Sequence, residues 1–263
     1  MNTEVHGRSV YPDPGAVIPA SPGRGRMRGM CGRYVVTKAV NDLLPDLLGG
    51  FDPLPDDYNV APTALVPVVR DRGGERRMPE VQWGFLPSWA KDPKAKPQPI
   101  NARIETVASS GMFRRAFAHA RCIVPALGYY EWVVTPTGKQ PHYIYDPDTA
   151  LAMAGVVSAW ADPNADRDDP DRWHLSMAVI TRDAHVAPGE VHDRMPACLT
   201  PGAYDDWLSD RLEPDELVEL LDRESLDIAH ELTHYEVSRD ANSVRNNGPQ
   251  LIRPLPEPGS TRG

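Results

Sequence analysis

The sequence predicts a strand-rich α+β domain, a single compact unit, and three observations carry that reading. Twenty-eight prolines and 20 glycines in 263 residues divide the chain into short elements joined by turns, which disfavours a helical bundle. Short apolar, β-prone runs recur from Tyr34 to Val237, with helical spacing confined to a few stretches between them. The 41% hydrophobic and 25% charged content is ordinary for a globular protein and shows no shift that would mark a domain boundary. No apolar run approaches the roughly 18 residues a membrane helix needs. Cys31, Cys122 and Cys198 are widely spaced and odd in number, fitting neither a disulfide framework nor a zinc site, so the chain reads as a reducing, cytoplasmic protein.

Residues 1–29, rich in Gly, Pro, Arg and Ser, lack both a periodic apolar pattern and the apolar segment of a signal peptide, and are read as disordered. They are either a product of an upstream start, with Met30 the true initiator, or a leader that is removed. Tyr34-Val35-Val36 predicts a strand, and Val40 to Leu48 a short helix closed by Gly49-Gly50. Ala64 to Val69 predicts a strand, Asp71 to Gly74 a hairpin turn, and Val81 to Phe85 its returning partner. A helix is expected from Thr106 to about Ala120, then strands at Cys122–Pro125 and Gly128–Val134. His142–Asp146 and Leu151–Trp160 read as a strand pair, Asp162–Asp171 as an acidic loop, Leu175–Thr181 as a strand and Val191–Pro196 as a loop. Thr200 is placed to cap a helix with Pro201 in its first turn, a second helix is expected over Glu213–Leu221, and both read as an acidic, solvated flank. His234–Val237 is a last strand, the folded domain is taken as residues 30–252, and 253–263 as a flexible tail.

The net charge of −9 argues against a nucleic-acid partner only until it is located. Residues 200–231 hold eleven acids and two arginines, so the rest of the chain is neutral and leaves room for a basic face. Cys31 directly follows Met30. An internal cysteine there is a small buried hydrophobe. With Met30 removed, Cys31 carries an α-amine and a thiol on adjacent carbons, with pKa values of roughly 7.7–8.0 and about 8.5, both partly nucleophilic near neutrality. Glu131, in an aromatic strand, either faces solvent or is held in a pocket with a raised pKa. Trp83 and Trp89 pack in the core or stack on unpaired bases. His192, in its loop, is a surface residue or a proton carrier.

Six ordered motifs together resemble the SOS-response-associated peptidase (SRAP) family of abasic-site processing proteins. They are Cys31-Gly32-Arg33-Tyr34, Tyr58-Asn59-Val60-Ala61-Pro62-Thr63, Trp83-Gly84-Phe85-Leu86-Pro87, Asn101-Ala102-Arg103-Ile104-Glu105-Thr106, Gly128-Tyr129-Tyr130-Glu131-Trp132 and His192-Asp193-Arg194-Met195-Pro196. The resemblance implies a mainly antiparallel, barrel-like sheet with flanking helices and a basic cleft for single-stranded DNA. It marks Cys31, Asn101, Glu131 and His192 as the active site, and Arg33, Trp83, Arg103, Thr181 and Arg194 as DNA contacts, with Arg114 a weaker candidate. It implies a covalent link between an N-terminal Cys31 and the aldehyde of an abasic site, cysteine exposure by autoproteolysis or aminopeptidase, and a monomer acting at the nucleoid during DNA damage; no cofactor is expected, and no metal, since His119, His142, His174 and His185 show no ligand spacing with Cys or acids. Two other readings stay open: a cysteine peptidase or amidohydrolase using Cys31 and His192, and a noncatalytic single-strand DNA-binding module.

Overall fold

The computed structural model describes residues 31–94 and 96–256, so the expected leader at 1–29, with Met30, lies outside the described residues, as does the end of the tail. In chain order the elements are β1 (Tyr34–Val36), α1 (Ala39–Leu43), α2 (Pro45–Leu48), β2 (Asp57–Val60), β3 (Leu65–Pro67), β4 (Arg70–Arg72), β5 (Glu75–Arg77), β6 (Glu80–Trp83) and β7 (Asn101–Arg103). There follow α3 (Ile104–Val107), α4 (Arg114–His119), β8 (Arg121–Ala126), β9 (Gly128–Thr135), β10 (Gly138–Tyr145), β11 (Leu151–Ala161) and β12 (Trp173–Asp183). The chain closes with α5 (Val186–Val191), β13 (Arg194–Pro196), α6 (Tyr204–Leu208), α7 (Pro214–Glu231) and β14 (Thr233–Glu236).

The strands form a mixed, mostly antiparallel sheet system curled into a half-barrel within one α+β domain. One sheet runs β14-β10-β9-β1-β2, and the other β3-β6-β12-β11-β8, with β7 and β13 also pairing with β12. Two pairs, β6 and β7 on β12, are parallel. Leu127 alone separates β8 from β9, so the chain passes from one sheet to the other there, and its N–H donates to Val35 O at 2.7 Å. Gly128 makes that junction possible, because a Cβ on it would lie 2.6 Å from the Tyr143 ring. The tight β4–β5 turn uses Gly73 and Gly74 at φ 65° and 80°, the pair of positive angles that a two-residue hairpin of this hand requires.

Several elements differ from expectation for local reasons. The expected helix at Val40–Leu48 is two, divided where Pro45 lacks an N–H to continue the first. The expected helix at Thr106–Ala120 is interrupted by Ser109-Ser110-Gly111: the Ser109 hydroxyl donates to Thr106 O and Ser110 Oγ accepts from Met112 N–H, side-chain bonds that replace the helical ladder. The strands expected as a pair, β10 and β11, lie in different sheets, β10 on β9 and β14, β11 on β8 and β12. The segment expected as a loop at Val191–Pro196 is the end of α5 followed by β13. Thr200 does not cap its helix; its hydroxyl is taken by the Glu224 carboxylate. The helix expected at Glu213–Leu221 runs on to Glu231, with buried Ser225 and Ala229 continuing its inner stripe and Ser225 Oγ accepting from Cys198 N–H at 2.9 Å. The folded chain also passes Ile252: Pro254 bridges Val237, and Leu255 N–H donates to Glu236 O.

Arg121 is buried at the start of β8 and gathers carbonyls that would otherwise be unpaired. Its guanidinium donates to Phe117 O and Ala118 O at the end of α4, to Trp207 O at 2.6 Å and to Ser209 O at 2.5 Å beyond α6. It thereby caps two helix ends at once. Arg121→Met should cost about 3 kcal/mol, because the carbonyls stay buried without donors, and lower Tm by roughly 6–12 °C in a thermal melt. A change of about 1 °C or less would show that those carbonyls find other partners.

Candidate active site

Cys31 reaches its position through strand pairing. Tyr34 lies opposite Tyr129 and Val35 opposite Gly128, and Tyr130 N–H donates to Arg33 O at 3.0 Å. Continuing this antiparallel register places Gly32 beside Glu131, where the missing side chain leaves room for Cys31 and Glu131 to meet. Both are buried, Cys31 4% and Glu131 2% exposed. Asn101 comes from the other sheet: β7 pairs with β12, Asn101 opposite Val179, and Asn101 Nδ2 donates to Cys31 O at 3.0 Å. The site therefore joins the two sheets.

Burial pushes the Glu131 carboxyl well above the usual carboxylate range, and nearby Asp193 adds to this while the hydrogen bond with the Cys31 thiol opposes it. The Cys31 thiol is likewise pushed up, chiefly by burial, then by Glu131 and Cys198. Burying an unpaired carboxylate costs several kcal/mol, whereas one hydrogen bond returns about 1 kcal/mol, so burial decides the direction and favours the neutral form of both groups. Glu131 Oε1 and Asn101 Oδ1 are buried with no hydrogen-bond partner among the described residues.

His192 ends α5, which packs against β9 and β14. Its Nδ1 accepts from Arg194 N–H at 3.0 Å and also lies 3.2 Å from Asp193 Oδ1. The two contacts ask for opposite tautomers. The backbone N–H can only donate, so Nδ1 is the acceptor, the ring proton sits on Nε2, and exposed Asp193 is the weaker neighbour. Among the described residues no hydrogen bond or ion pair joins the imidazole to Cys31; the structure brings together Cys31, Asn101 and Glu131, with the His192–Asp193 corner near enough for Asp193 to act on Glu131.

A family model described as SOS response associated peptidase (SRAP) matches residues 30–244. The chain belongs to the SRAP family. It is 33% identical over 235 residues to the abasic site processing protein YoqW of Bacillus subtilis, covering 85% of this chain and 99% of that one. It is 32% identical over 234 residues to the abasic site processing protein YedK of Escherichia coli, covering 86% and 100% respectively. It is also 29% identical to HMCES of Xenopus tropicalis, covering 85% and 78%. Among solved structures, a Bacteroides thetaiotaomicron protein superposes with TM-score 0.63 at 26% identity, covering 77% of this chain and 87% of that one. A phage-related protein of Bordetella bronchiseptica has TM-score 0.62 at 24% identity, covering 80% and 95%.

In this SRAP chain the expected DNA contacts divide. Arg103 is exposed at the end of β7. Arg33 is half-buried: its Nη1 donates to Asn59 Oδ1 at 2.7 Å and Ala241 O at 3.1 Å, and its guanidinium lies 5.9 Å from the Trp132 ring centroid. Trp83 is sealed in the core. It is 1% exposed, packs on Tyr34 with ring centroids 5.3 Å apart, and donates its indole N–H to Ile100 O, so no face is open to a base. Trp89, two residues beyond that motif, is 67% exposed and, with Trp173, Arg114 and Arg115, lines a 710 Å³ groove.

Thr181 and Arg194 are turned inward. Thr181 is fully buried, and the Arg194 guanidinium is spent on Glu105 and Asp183, each at 2.5 Å, and on Thr181 O at 2.6 Å. They tie β13 to β12 and α3 rather than offering a free cation. Trp132, whose indole donates to Asn242 Oδ1 at 2.6 Å, and Asn59, which receives Arg33, were not singled out as site residues. Strand alternation was the available signal, since it puts Trp132 on the face opposite Glu131, beside Arg33.

Glu131 makes stability depend on pH. Its folded carboxyl holds a proton more tightly than the unfolded one. The stability this brings is whole below the unfolded value, roughly 4.3, and is lost as pH rises toward the folded value. Glu131→Gln removes the titration, so its Tm should pull ahead of the unsubstituted protein by about 3–5 °C per pH unit between pH 5 and 7. A gap that stays constant across that range would contradict a buried, protonated Glu131.

Proposed function

We propose that this protein, with Cys31 as its first residue, captures the ring-opened aldehyde of an abasic site in single-stranded DNA as a thiazolidine, a covalent link that shields the lesion. The observation that supports this most directly is the meeting of Cys31 with a buried, protonated Glu131 and with Asn101, whose unpaired oxygen matches the N–H groups of a free α-amine. The family's abasic-site relatives supply the substrate class.

The chemistry follows from the groups. The neutral α-amine of Cys31 adds to the aldehyde carbon, and its proton passes to the oxygen to give a carbinolamine. Glu131 gives its proton to that hydroxyl, water leaves, and an iminium ion remains beside the Glu131 carboxylate. The thiol then returns a proton to Glu131 as sulfur bonds to the same carbon and closes a five-membered ring. Glu131 ends protonated, as it began. Amine and thiol sit on one residue, so closure is intramolecular and carries the advantage of proximity. Asn101 orients the amine, and His192, at the rim, is suited to carrying protons for opening of the closed sugar or for reversal. Arg103 and Arg33 are the candidate phosphate contacts. Exposure of Cys31, by an aminopeptidase acting on Met30 or by self-cleavage, must come first, since a peptide bond on Cys31 removes the amine.

Intact mass spectrometry tests the reading. Protein whose mass begins at Cys31 should gain the mass of one oligonucleotide, less water, when mixed with single-stranded DNA bearing one abasic site. Cys31→Ala should gain none, and reduction of the abasic aldehyde to an alcohol beforehand should abolish the gain. Turnover of a peptide or amide without any aldehyde, and no mass gain, would instead favour the peptidase reading.

A further inference from the structure

The sheet face that carries Glu131 also carries a network of ionisable side chains that the proposed chemistry leaves unused. His142 on β10 stands opposite Glu131 on β9 and opposite Glu236 on β14, and residues so paired share a face. His142 is 9% exposed, and its Nδ1 lies 3.2 Å from Nδ1 of His234, two residues before Glu236 on β14. The other nitrogen of His234, Nε2, lies 3.2 Å from Glu190 Oε2 on α5, and His142 Nε2 lies 3.9 Å from Glu236 Oε1. Both carboxylates are mostly exposed. The network thus runs from the row that holds Glu131 out to the helix whose end is His192.

α5 has little to hold it on its own. It is six residues long, contains Pro188 and Gly189, starts at Val186 with φ 53°, and has no side-chain cap at His185. A short helix of this composition persists through its tertiary contacts. Glu190 makes one in the final turn, two residues before His192, whose own N–H donates to Pro188 O at 3.0 Å. The geometry also sets how many protons the network holds. Glu190 accepts from His234 Nε2–H, and two Nδ1 atoms 3.2 Å apart need one proton between them. The neutral pair meets both conditions and leaves His142 Nε2 bare beside Glu236. One added proton covers that atom, and a second would set two N–H groups against each other. Burial, then His234, lower the His142 pKa, with Glu236 opposing, which keeps that ring neutral at pH 8 and places proton uptake on the acid side. Other charged groups on the packed elements turn elsewhere: Arg239 bonds to Gln140 and Thr137, and Arg194 to Glu105 and Asp183. Asp240, and His230 and Glu231 at the end of α7, make no hydrogen bond or ion pair with the network among the described residues.

We infer that His142 and His234 are positioning residues: together they hold Glu190, and so keep the end of α5, with His192, against the sheet face that carries Glu131. The inference rests on the crosslinking reading above, in which His192 carries protons for opening of the closed sugar and for reversal. At pH 8 the hold is a neutral N–H donated to a carboxylate. In acid the added proton makes that bond ionic on both sides and therefore stronger.

The test uses protein beginning at Cys31 and two single-stranded oligonucleotides, one with an abasic site and one with an acyclic aldehyde that needs no sugar opening. At pH 5.5, His234→Phe should slow capture of the abasic site, and reversal of its crosslink, each by about tenfold, and should capture the acyclic aldehyde at the unsubstituted rate. Glu190→Gln changes an exposed side chain and serves if the Phe variant folds poorly. It keeps an acceptor for His234 Nε2–H, so it should match the unsubstituted protein at pH 8 and fall behind it at pH 5.5. His192→Ala combined with His234→Phe should be no slower than His192→Ala alone, because the pair acts through His192. Unchanged rates on the abasic strand overturn the inference, as does a Glu190→Gln deficit that is the same at both pH values. Equal slowing on both oligonucleotides overturns it too, since that marks a distorted site. An unsubstituted protein that captures neither oligonucleotide refutes the crosslinking reading itself and takes this inference with it.

Discussion

The pairing of β1 with β9 governs the rest of the site. Tyr34 against Tyr129 and Val35 against Gly128 place the chain before β1 alongside Glu131, and the absence of a side chain at Gly32 lets Cys31 approach it. A slip of one residue would turn Glu131 and Tyr129 to the opposite face, among the Tyr130–Tyr143 cluster. Two features hold the register. Gly128 admits the Tyr143 ring where any Cβ would collide, and Leu127 N–H is bonded to Val35 O at the turn between the sheets.

The second sheet serves the first. β12 is its organising strand, pairing with β11, β6, β7 and β13, and its parallel contact with β7 delivers Asn101 to the Cys31 carbonyl. The Arg194 network fastens β13 to the same strand and so fixes the His192 corner, since Arg194 N–H is what holds the imidazole. A charged cluster that looks like a ligand grip in isolation is here a clasp. Guanidinium flanked by two carboxylates within hydrogen-bonding distance has little potential left for a phosphate.

Stability and chemistry pull against each other around Cys31. The Glu131 carboxyl and the Asn101 amide oxygen are buried without a hydrogen-bond partner among the described residues for Oε1 and Oδ1, an arrangement that costs folding free energy. The core around them bears that cost because most of its members, from Val35 to Leu251, are apolar and almost fully buried. The same burial pushes the Cys31 thiol and the Glu131 carboxyl toward their neutral forms, which works against a standing thiolate.

Sequence alone determined the class of fold, the places of most strands and the family, because β-prone runs, Pro and Gly turns and six ordered motifs are properties of local chain. It also singled out Cys31, Asn101 and Glu131 through those motifs, although alternation left open whether Glu131 faced solvent. What tertiary structure decided were matters of pairing between distant segments: that β10 and β11 belong to different sheets, that Trp83 is sealed under Tyr34 while Trp89 is open, and that Arg194 answers Glu105 and Asp183 rather than a free phosphate. Residue type and spacing carry a side chain's chemistry. Its exposure and partners depend on strands that meet only after the chain has folded, as Asn101 and Cys31, 70 residues apart, do.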